Sequence, residues 1–468
     1  MRRGLVAASA AVLVLAVGYG WLSIAKPFDA ASEPRVRAAP KVLIPMEAGK
    51  VLRIDELLPD GTVFALVKGA GGFVIEGRHG IGLSANRILA ALYALTSLEA
   101  TDTVDADPQR PADFGLDKPG LVTITLEDAS SHALEIGSKG PGGDYYVRLP
   151  GSTVVYLAPG LAVENFYGRP DDFRERKLQT VDLQKLALLR ILRDDLRLEI
   201  ADLPDRYDPL YQTSILVLKP FRHVYPAGPD SLKVFLKSLP PAFTIQDFVD
   251  EPGSLASLGL DPPLVDLELG DGNARLRLLI GKDASPTTLY ARLFDKPGVF
   301  TLLRTDLAFV YKADAFQLIN HLPLLIPIEK VSALEFRYKD LSLDFKLDRR
   351  ELPPAKDAKS GSSKNYATSY RLGDRTIAEA TFRNIYQWIV GIAIEGPNPK
   401  AIDAPRLPKE ATVVFHLNAG LSPRSFGFVP VSDDFYALAY DGDAEFLVTK
   451  SQMEGLSRRI SQALGAGP

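Results

Sequence analysis

The sequence predicts an α+β protein: an N-terminal transmembrane helix followed by two or three repeated modules, each an antiparallel sheet with a packed helix. Three observations lead there. An uncharged apolar stretch opens the chain. A Gly-Leu-Asp motif returns 144 residues after its first appearance. Around both appearances, short alternating apolar runs surround one stretch of helical spacing.

The opening stretch runs from Leu5 to Ile24 without a charge, preceded by Met1-Arg2-Arg3. A helix needs about 20 such residues to cross the hydrocarbon core. The stretch continues through Trp21, Leu22 and Ile24 before Lys26 and Pro27, which favours an uncleaved anchor over residues 1–25. The alternative is a signal peptide cut in the Asp29–Ser32 region. Arg2 and Arg3 favour an inside N-terminus, but Lys26, Arg35, Arg37 and Lys41 balance them on the other side. The shortness of the amino tail decides for export of the rest. This predicts a single-pass protein of the inner (cytoplasmic) membrane whose soluble part faces the periplasm or exterior. Residues 26–45, with Pro27, Pro34, Pro40 and Pro45, read as a semi-extended linker.

Composition narrows the function classes. A chain of 468 residues exceeds one ordinary core, so two to four domains are expected. With 54 basic and 58 acidic residues the net charge is −4, and no long basic run exists, which argues against a nucleic-acid partner. The absence of cysteine removes disulfides, thiolate catalysis and Cys-ligated metal.

Gly115-Leu116-Asp117-Lys118-Pro119 returns as Gly259-Leu260-Asp261-Pro262-Pro263. The same offset carries Leu134, Ile136, Gly137, Tyr146, Arg148 and Leu149 onto Leu278, Ile280, Gly281, Tyr290, Arg292 and Leu293. That is ten identities in 35 ungapped positions, where random pairing gives about two or three. In the first copy, strands are expected at Thr62–Lys68, Phe73–Ile75, Val122–Leu126, Leu134–Ile136, Tyr145–Leu149 and Val154–Leu157. A helix with Ile88, Leu92, Leu95 and Leu98 on one stripe is capped by Ser84 or Asn86. The second copy repeats the order, with strands near Leu196–Ile200, Ile215–Lys219, Val265–Leu269, Leu276–Ile280, Leu289–Leu293 and Val299–Leu302. Its helix is capped by Asp230 and carries Leu232, Phe235, Leu236 and Leu239. A divergent third copy follows without Gly-Leu-Asp: strands at Leu334–Phe336, Leu341–Leu347 and Tyr370–Leu372, a helix around Ile385 and Trp388, a meander from Val413 to Val448, and a terminal helix marked by Met453, Leu456 and Ile460. The predicted boundaries are 46–178, 179–327 and 328–468, with a disordered insertion at 353–365.

Recurrence selects what the module needs to fold. Gly115 and Gly259 are expected at positive φ, with Asp117 and Asp261 bonding their own turn, and Gly137 and Gly281 are expected to end a strand at a tight turn. Tyr146 with Arg148, and Tyr290 with Arg292, fall on one face of a strand. They read either as a surface ladder with the Arg stem packed on the ring or as a binding face for a glycan or anionic ligand.

No catalytic constellation emerges. The run from Gly137 to Gly143 lacks the order and the following helix of a phosphate loop. The run from Asp441 to Glu445 departs from a calcium loop at Phe446 and Gln452, and reads as a hairpin turn. His79, His132, His223, His321 and His416 show no metal-ligand spacing. No catalytic residue, metal or cofactor is predicted.

The order of strand, Lys68, helix, Phe114-Gly115-Leu116-Asp117-x-Pro119, Ile136-Gly137 and Tyr145-Tyr146-Val147-Arg148 resembles the bacterial domain-of-unknown-function family four-three-four-zero (DUF4340-type). Lys219-Pro220, Leu258-Gly259-Leu260-Asp261-x-Pro263, Ile280-Gly281 and Tyr290-Ala291-Arg292 resemble it again. The departure is Gly72-Phe73-Val74, where the family often carries Trp. The resemblance implies one N-terminal span, an extracytoplasmic location and association with gliding-motility-type auxiliary proteins of ABC transporters. It implies no catalytic residues. The expectation is a non-enzymatic accessory or scaffold component of an ABC transporter or envelope system. Its partners would be membrane or envelope proteins, and its membrane contact would be the N-terminal helix.

Overall fold

A computed structural model describes residues 41–78, 82–104, 110–351, 366–399, 406–418, 420–440 and 442–465. The expected anchor (1–25), the linker up to residue 40 and the insertion 353–365 lie outside the described residues. Among the described residues no helix is long and apolar enough to cross a membrane. The described chain is mostly β: three large antiparallel sheets with few helices.

A short strand β1 (Lys41–Val42) leads into the first copy. There β2 (Val51–Leu57), β3 (Val63–Gly69) and β4 (Gly72–Ile75) form a meander, followed by α1 (Ala85–Thr96). Then come β5 (Glu99–Ala100), which pairs with β1, and β6 (Asp102–Val104), β7 (Gly120–Leu126), β8 (Ser131–Lys139), β9 (Tyr145–Arg148), β10 (Val155–Ala158) and α2 (Gly160–Phe166). The sheet order is β4-β3-β2-β7-β8-β9-β10-β6. Leu43 and Ile44, assigned to the linker from sequence, are buried in this copy's core.

The second copy has β11 (Leu188–Arg193), β12 (Leu196–Asp202), β13 (Ile215–Lys219), β14 (Tyr225–Pro226), α3 (Pro229–Leu236), β15 (Phe248–Val249), β16 (Val265–Gly270), β17 (Arg275–Asp283), β18 (Thr288–Leu293) and β19 (Val299–Leu303), then α4 (Ala308–Lys312) and α5 (Ala315–Leu318). The third has β20 (Val331–Tyr338), β21 (Leu341–Glu351), β22 (Tyr366–Leu372), β23 (Arg375–Ile377), α6 (Glu379–Val390), β24 (Gly396–Pro397), β25 (Ala411–Leu417), β26 (Arg424–Pro430), β27 (Phe435–Tyr440), β28 (Asp443–Thr449) and α7 (Lys450–Ala463). Their orders are β14-β13-β12-β11-β16-β17-β18-β19-β15 and β23-β22-β21-β20-β25-β26-β27-β28-β24. Strand for strand this is the order of the first sheet, which lacks only the fourth strand. The divergent C-terminal region is therefore a third copy. The chain forms two compact units, one holding the first copy to Arg174 and the other holding the second and third from Glu175.

Alternation in sequence becomes burial on one face. In β7 every second residue, from Gly120 to Leu126, is buried, and β28 alternates likewise. In the second unit one continuous core runs through both copies. Each fully buried Leu, Ile, Val or Phe contributes about 1.5–3 kcal/mol by leaving water. The helix α3 begins at Pro229 with Gly228 at its N-cap, so Asp230, expected as the cap, sits inside the first turn. Proline at the first helical position needs no N–H partner, and the chain uses that start instead.

The recurring glycines work as a pair. Gly115 and Gly259 have φ of +66° and +69°. Gly115 N donates to Ala112 O and Leu116 N to Pro111 O, and in the second copy Gly259 N donates to Ala256 O and Leu260 N to Leu255 O. This double closure is a Schellman turn with a left-handed glycine. It points Leu116 and Leu260 inward, where both are buried. Gly137 and Gly281 do not end strands, as expected from sequence. They lie within β8 and β17 at a bulge, where the register slips between Ile136 and Lys139 and between Ile280 and Asp283. A Cβ on Gly137 would sit 2.2 Å from Phe114 O, and one on Gly281 would sit 2.2 Å from Leu258 O, with the Leu116 and Leu260 side chains at 3.1 Å. The turn rests directly on the bare backbone of the strand.

Alanine at Gly137 or Gly281 should therefore lower stability by about 1–3 kcal/mol or more, because carbonyl backbone must move. Alanine at Gly142, which meets nothing within 4 Å, should be close to neutral. Urea unfolding of the single variants measures the difference.

Candidate functional site

The structure scatters the residues that sequence singled out. Tyr146 stacks edge-on against Phe114, with ring centroids 5.0 Å apart. Arg148 faces Glu135 across β8 and β9 and bonds it, Nε to Oε2, at 2.6 Å. In the second copy the residue opposite Arg292 is Leu279, and Arg292 Nε reaches only the Leu293 carbonyl, at 3.4 Å. Tyr290 lies opposite Thr301. The two Tyr–Arg pairs share a strand position and differ in charge: one guanidinium is paired with Glu135, and the other has no acid opposite it among the described residues. Among the described residues the Asp117 and Asp261 carboxylates, expected to bond their own turn, make no hydrogen bond, because the backbone closes each turn alone.

The outer face of the second sheet carries a dense ionic ladder. Glu268 on β16 is fully buried between Arg190 and Arg275, and Arg277 holds Asp266 through two bonds of 2.9 and 2.6 Å. The Arg277 guanidinium also lies 3.7 Å from the centroid of the Phe294 ring. These pairings leave the ladder with few free valences for a ligand.

Asp443 and Glu445, from the run examined as a calcium loop, lie on the β27–β28 hairpin and hold the second copy to the third. Glu445 accepts from Arg222 N at 2.8 Å, His223 N at 3.3 Å and the Tyr225 hydroxyl at 2.8 Å. Asp443 pairs with Arg222 and His223, each at 3.1 Å. Phe446 packs beneath, 5.1 Å from Phe221 and 4.9 Å from Tyr225 between centroids. Burial and this carboxylate push the Tyr225 hydroxyl well above its usual range. Glu445→Ala would orphan three donors at once and should destabilise the second unit by about 1–3 kcal/mol. Urea unfolding followed by tyrosine fluorescence checks this, with the first copy's transition unchanged.

One pocket in this unit has the size of a small-ligand site, ≈ 520 Å³, within the roughly 300–1,000 Å³ such sites occupy. It lies between Leu210–Ile215, the start of α3 and the segment from Asn320 to Pro327. The Tyr211 hydroxyl closes one wall by donating to Pro323 O at 2.5 Å. Asp230 is the one charged residue in the lining, so an anion would meet repulsion there. Among the described residues no three His, Asp or Glu side chains gather as a metal site.

A separate polar cluster lies in the core of the first copy. Glu56 is 1 % exposed. Its Oε2 accepts from Gly168 N at 3.2 Å, while Oε1 has no partner among the described residues. Burial pushes its carboxyl up to about 8, against the opposing pull of the Gly168 N–H and Arg87. Sequence reasoning passed over this residue.

Residues 75–251 match the family described as "Domain of unknown function (DUF4340)", a stretch that runs from β4 of the first copy to β15 of the second. No curated protein and no solved structure matches the chain.

Proposed function

We propose that this chain, which carries a segment of the DUF4340 family, is a non-enzymatic, membrane-anchored, extracytoplasmic protein that serves as an accessory or scaffold component of an ABC transporter or envelope system. The observation that supports this most is the triplication itself. Three copies of one sheet topology follow one another along the chain, and the titratable groups of the sheet faces are largely engaged with one another. Repeated sheets whose faces are satisfied within each copy suit a surface that docks other proteins. The uncharged stretch Leu5–Ile24 supplies the expected tether.

Crosslinking in native membranes tests this reading. A membrane subunit of an ABC transporter, or a defined envelope protein, should be recovered in amounts that fall when the first 25 residues are replaced by a cleavable signal sequence. Recovery of only those proteins that also crosslink to an unrelated anchored control would sink the reading.

A second reading, a binding module for a glycan or anionic envelope ligand, is favoured at one place. Arg292 presents a guanidinium beside Tyr290 with Leu279 rather than an acid opposite it. This reading therefore narrows to the second copy. Arg292→Ala should abolish such binding with little change in melting temperature. Arg148→Ala should leave binding intact and cost about 1 kcal/mol by stranding Glu135. Equal loss of ligand in both variants would contradict the asymmetry.

A further inference from the structure

The three sheets can be superposed by register, which makes each copy a control for the others. Gly120 pairs with Ile136 as Val265 pairs with Ile280 and Ala411 with Phe428. Two residues along, one row of side chains crosses each core. In the second copy it reads Leu198, Ile191, Leu267, Leu278, and in the third Leu343, Phe336, Val413, Phe426. All eight are buried and apolar. In the first copy the row reads Phe64, Glu56, Val122, Leu134. A carboxyl stands where the other copies place Ile191 and Phe336.

The neighbouring position changes with it. Val265 and Ala411 are replaced by Gly120, and a Cβ there would lie 1.9 Å from the Tyr167 hydroxyl. The glycine admits the phenol into the core beside Glu56. Arg87, from α1, completes the group: it donates to Asn165 Oδ1 at 3.1 Å and to the Glu164 carbonyl, and its remaining Nε is buried without a partner. The Tyr167 hydroxyl and Glu56 Oε1 are likewise buried and unpartnered among the described residues. Gly168, next to Tyr167, donates to Glu56, and Arg87 and Tyr167 both interact electrostatically with that carboxyl. Three orphaned polar atoms from three elements thus belong to one part of an otherwise apolar core. An orphaned buried polar group costs about 1–3 kcal/mol, and natural cores relieve such groups with an ordered water that makes about three hydrogen bonds.

We infer that the first copy holds a buried, proton-linked site for one water-sized polar molecule, bounded by the Glu56 carboxyl, the Tyr167 hydroxyl and Arg87 Nε. Water matches the donor–acceptor set in either protonation state. With Glu56 neutral it accepts from Arg87 Nε and the Oε1–H while donating to the Tyr167 oxygen. With Glu56 ionised it accepts from Arg87 and Tyr167 while donating to Oε1. The charged and titratable groups that bear on the site are Arg87 from α1, Tyr167 and Asp172 from the segment after α2, Asp60 from the loop after β2, and Tyr145 from β9. Burial and the nearby Glu56 push the Tyr167 hydroxyl up to about 12, so it keeps its proton throughout the range in which Glu56 titrates. Glu56 keeps its proton more tightly folded than unfolded. Its own contribution to the first copy's stability is therefore fully present below about 4.5, the ordinary carboxyl value, and is lost as pH rises from there through about 8.

Hydrogen–deuterium exchange on the full chain reads this directly. After correction for intrinsic rates, amides of 51–57 and 120–126 should open about tenfold more often for each pH unit across that window. Those of 188–193 and 331–338, the matching strands of the other copies, should show no such step. Glu56→Gln should remove the step, and Glu56→Ile, the second copy's own residue, should remove it and raise protection. A shared profile for wild type and E56Q, or a step in all three copies, overturns the proton linkage. A high-resolution crystal structure should show density for one molecule bonded to all three groups. Direct bonds among them, or no density, overturn the site.

Discussion

Everything in this architecture depends on one pairing per copy: the strand that opens the module with the first long strand after the helix, β2 with β7, β11 with β16 and β20 with β25. On either side of that seam the strands connect as local meanders, and the short strands β6, β15 and β24, which come before the seam strand in sequence, close the far edge of each sheet. The seam joins residues tens of positions apart, so it must overcome loop-closure entropy before it contributes any packing. It also sets the faces. Side chains alternate along a strand, so a slip of one residue at the seam would turn the core row outward. The Schellman turn sits just before β7 and β16 and rests on the bared backbone of β8 and β17, which fixes where the following strand enters the sheet.

The duplication was legible in sequence because the turn and its glycine platform tolerate little variation. Their register was not. The ungapped offset of 144 holds for Gly115 and Ile136, but pairing places Gly120 with Val265, one residue further on. A single extra residue before β16 explains why the ungapped comparison finds no identity between 120 and 130, and reading it literally would invert the faces of that strand. The opening strands β2 and β11 were also missed. In β2 a bulge between Val51 and Arg53 interrupts the alternation. In β11 the arginines Arg190 and Arg193 fall between the core residues Leu189 and Ile191 and beyond them, so the segment resembles a basic surface turn until its acidic partners across the sheet are known.

The candidate sites show the same limit from the other side. Tyr146, Arg148, Tyr290 and Arg292 stood out because they recur, yet recurrence tracked the fold, and the electrostatic difference between the two arginines comes from Glu135 and Leu279 on neighbouring strands. Glu56 does not recur and sits among Arg53 and Asp55 in sequence, where an acidic residue looks like ordinary surface. Only the register, which aligns it with Ile191 and Phe336, reveals that it occupies a core position. A signal did exist: an acidic residue one turn of alternation after Ile54 on the buried face. Reading it required knowing where the bulge falls.

The third copy shows how such modules diverge without losing the seam. It has no Gly-Leu-Asp turn, and the residue after Phe428, where the other copies have Gly137 and Gly281, is Val429. The bulge is absent too, since β26 pairs with β27 regularly through Val429 and Ala437. Turn, glycine and bulge have gone together, which is what their contact demands. A Cβ on the strand would strike the turn's carbonyl, so neither part can persist without the other. Leu407 and Val429 instead pack with Ala437 and Ala444 in a small cluster of their own, and apolar contact replaces the glycine platform as the device that seats β25. The first copy changed in the opposite sense. It kept the platform and admitted Glu56 with Tyr167, accepting a less stable core at that row. A buried carboxyl carries a desolvation cost in a row that the other two copies fill with apolar side chains, so the sheet itself does not require it.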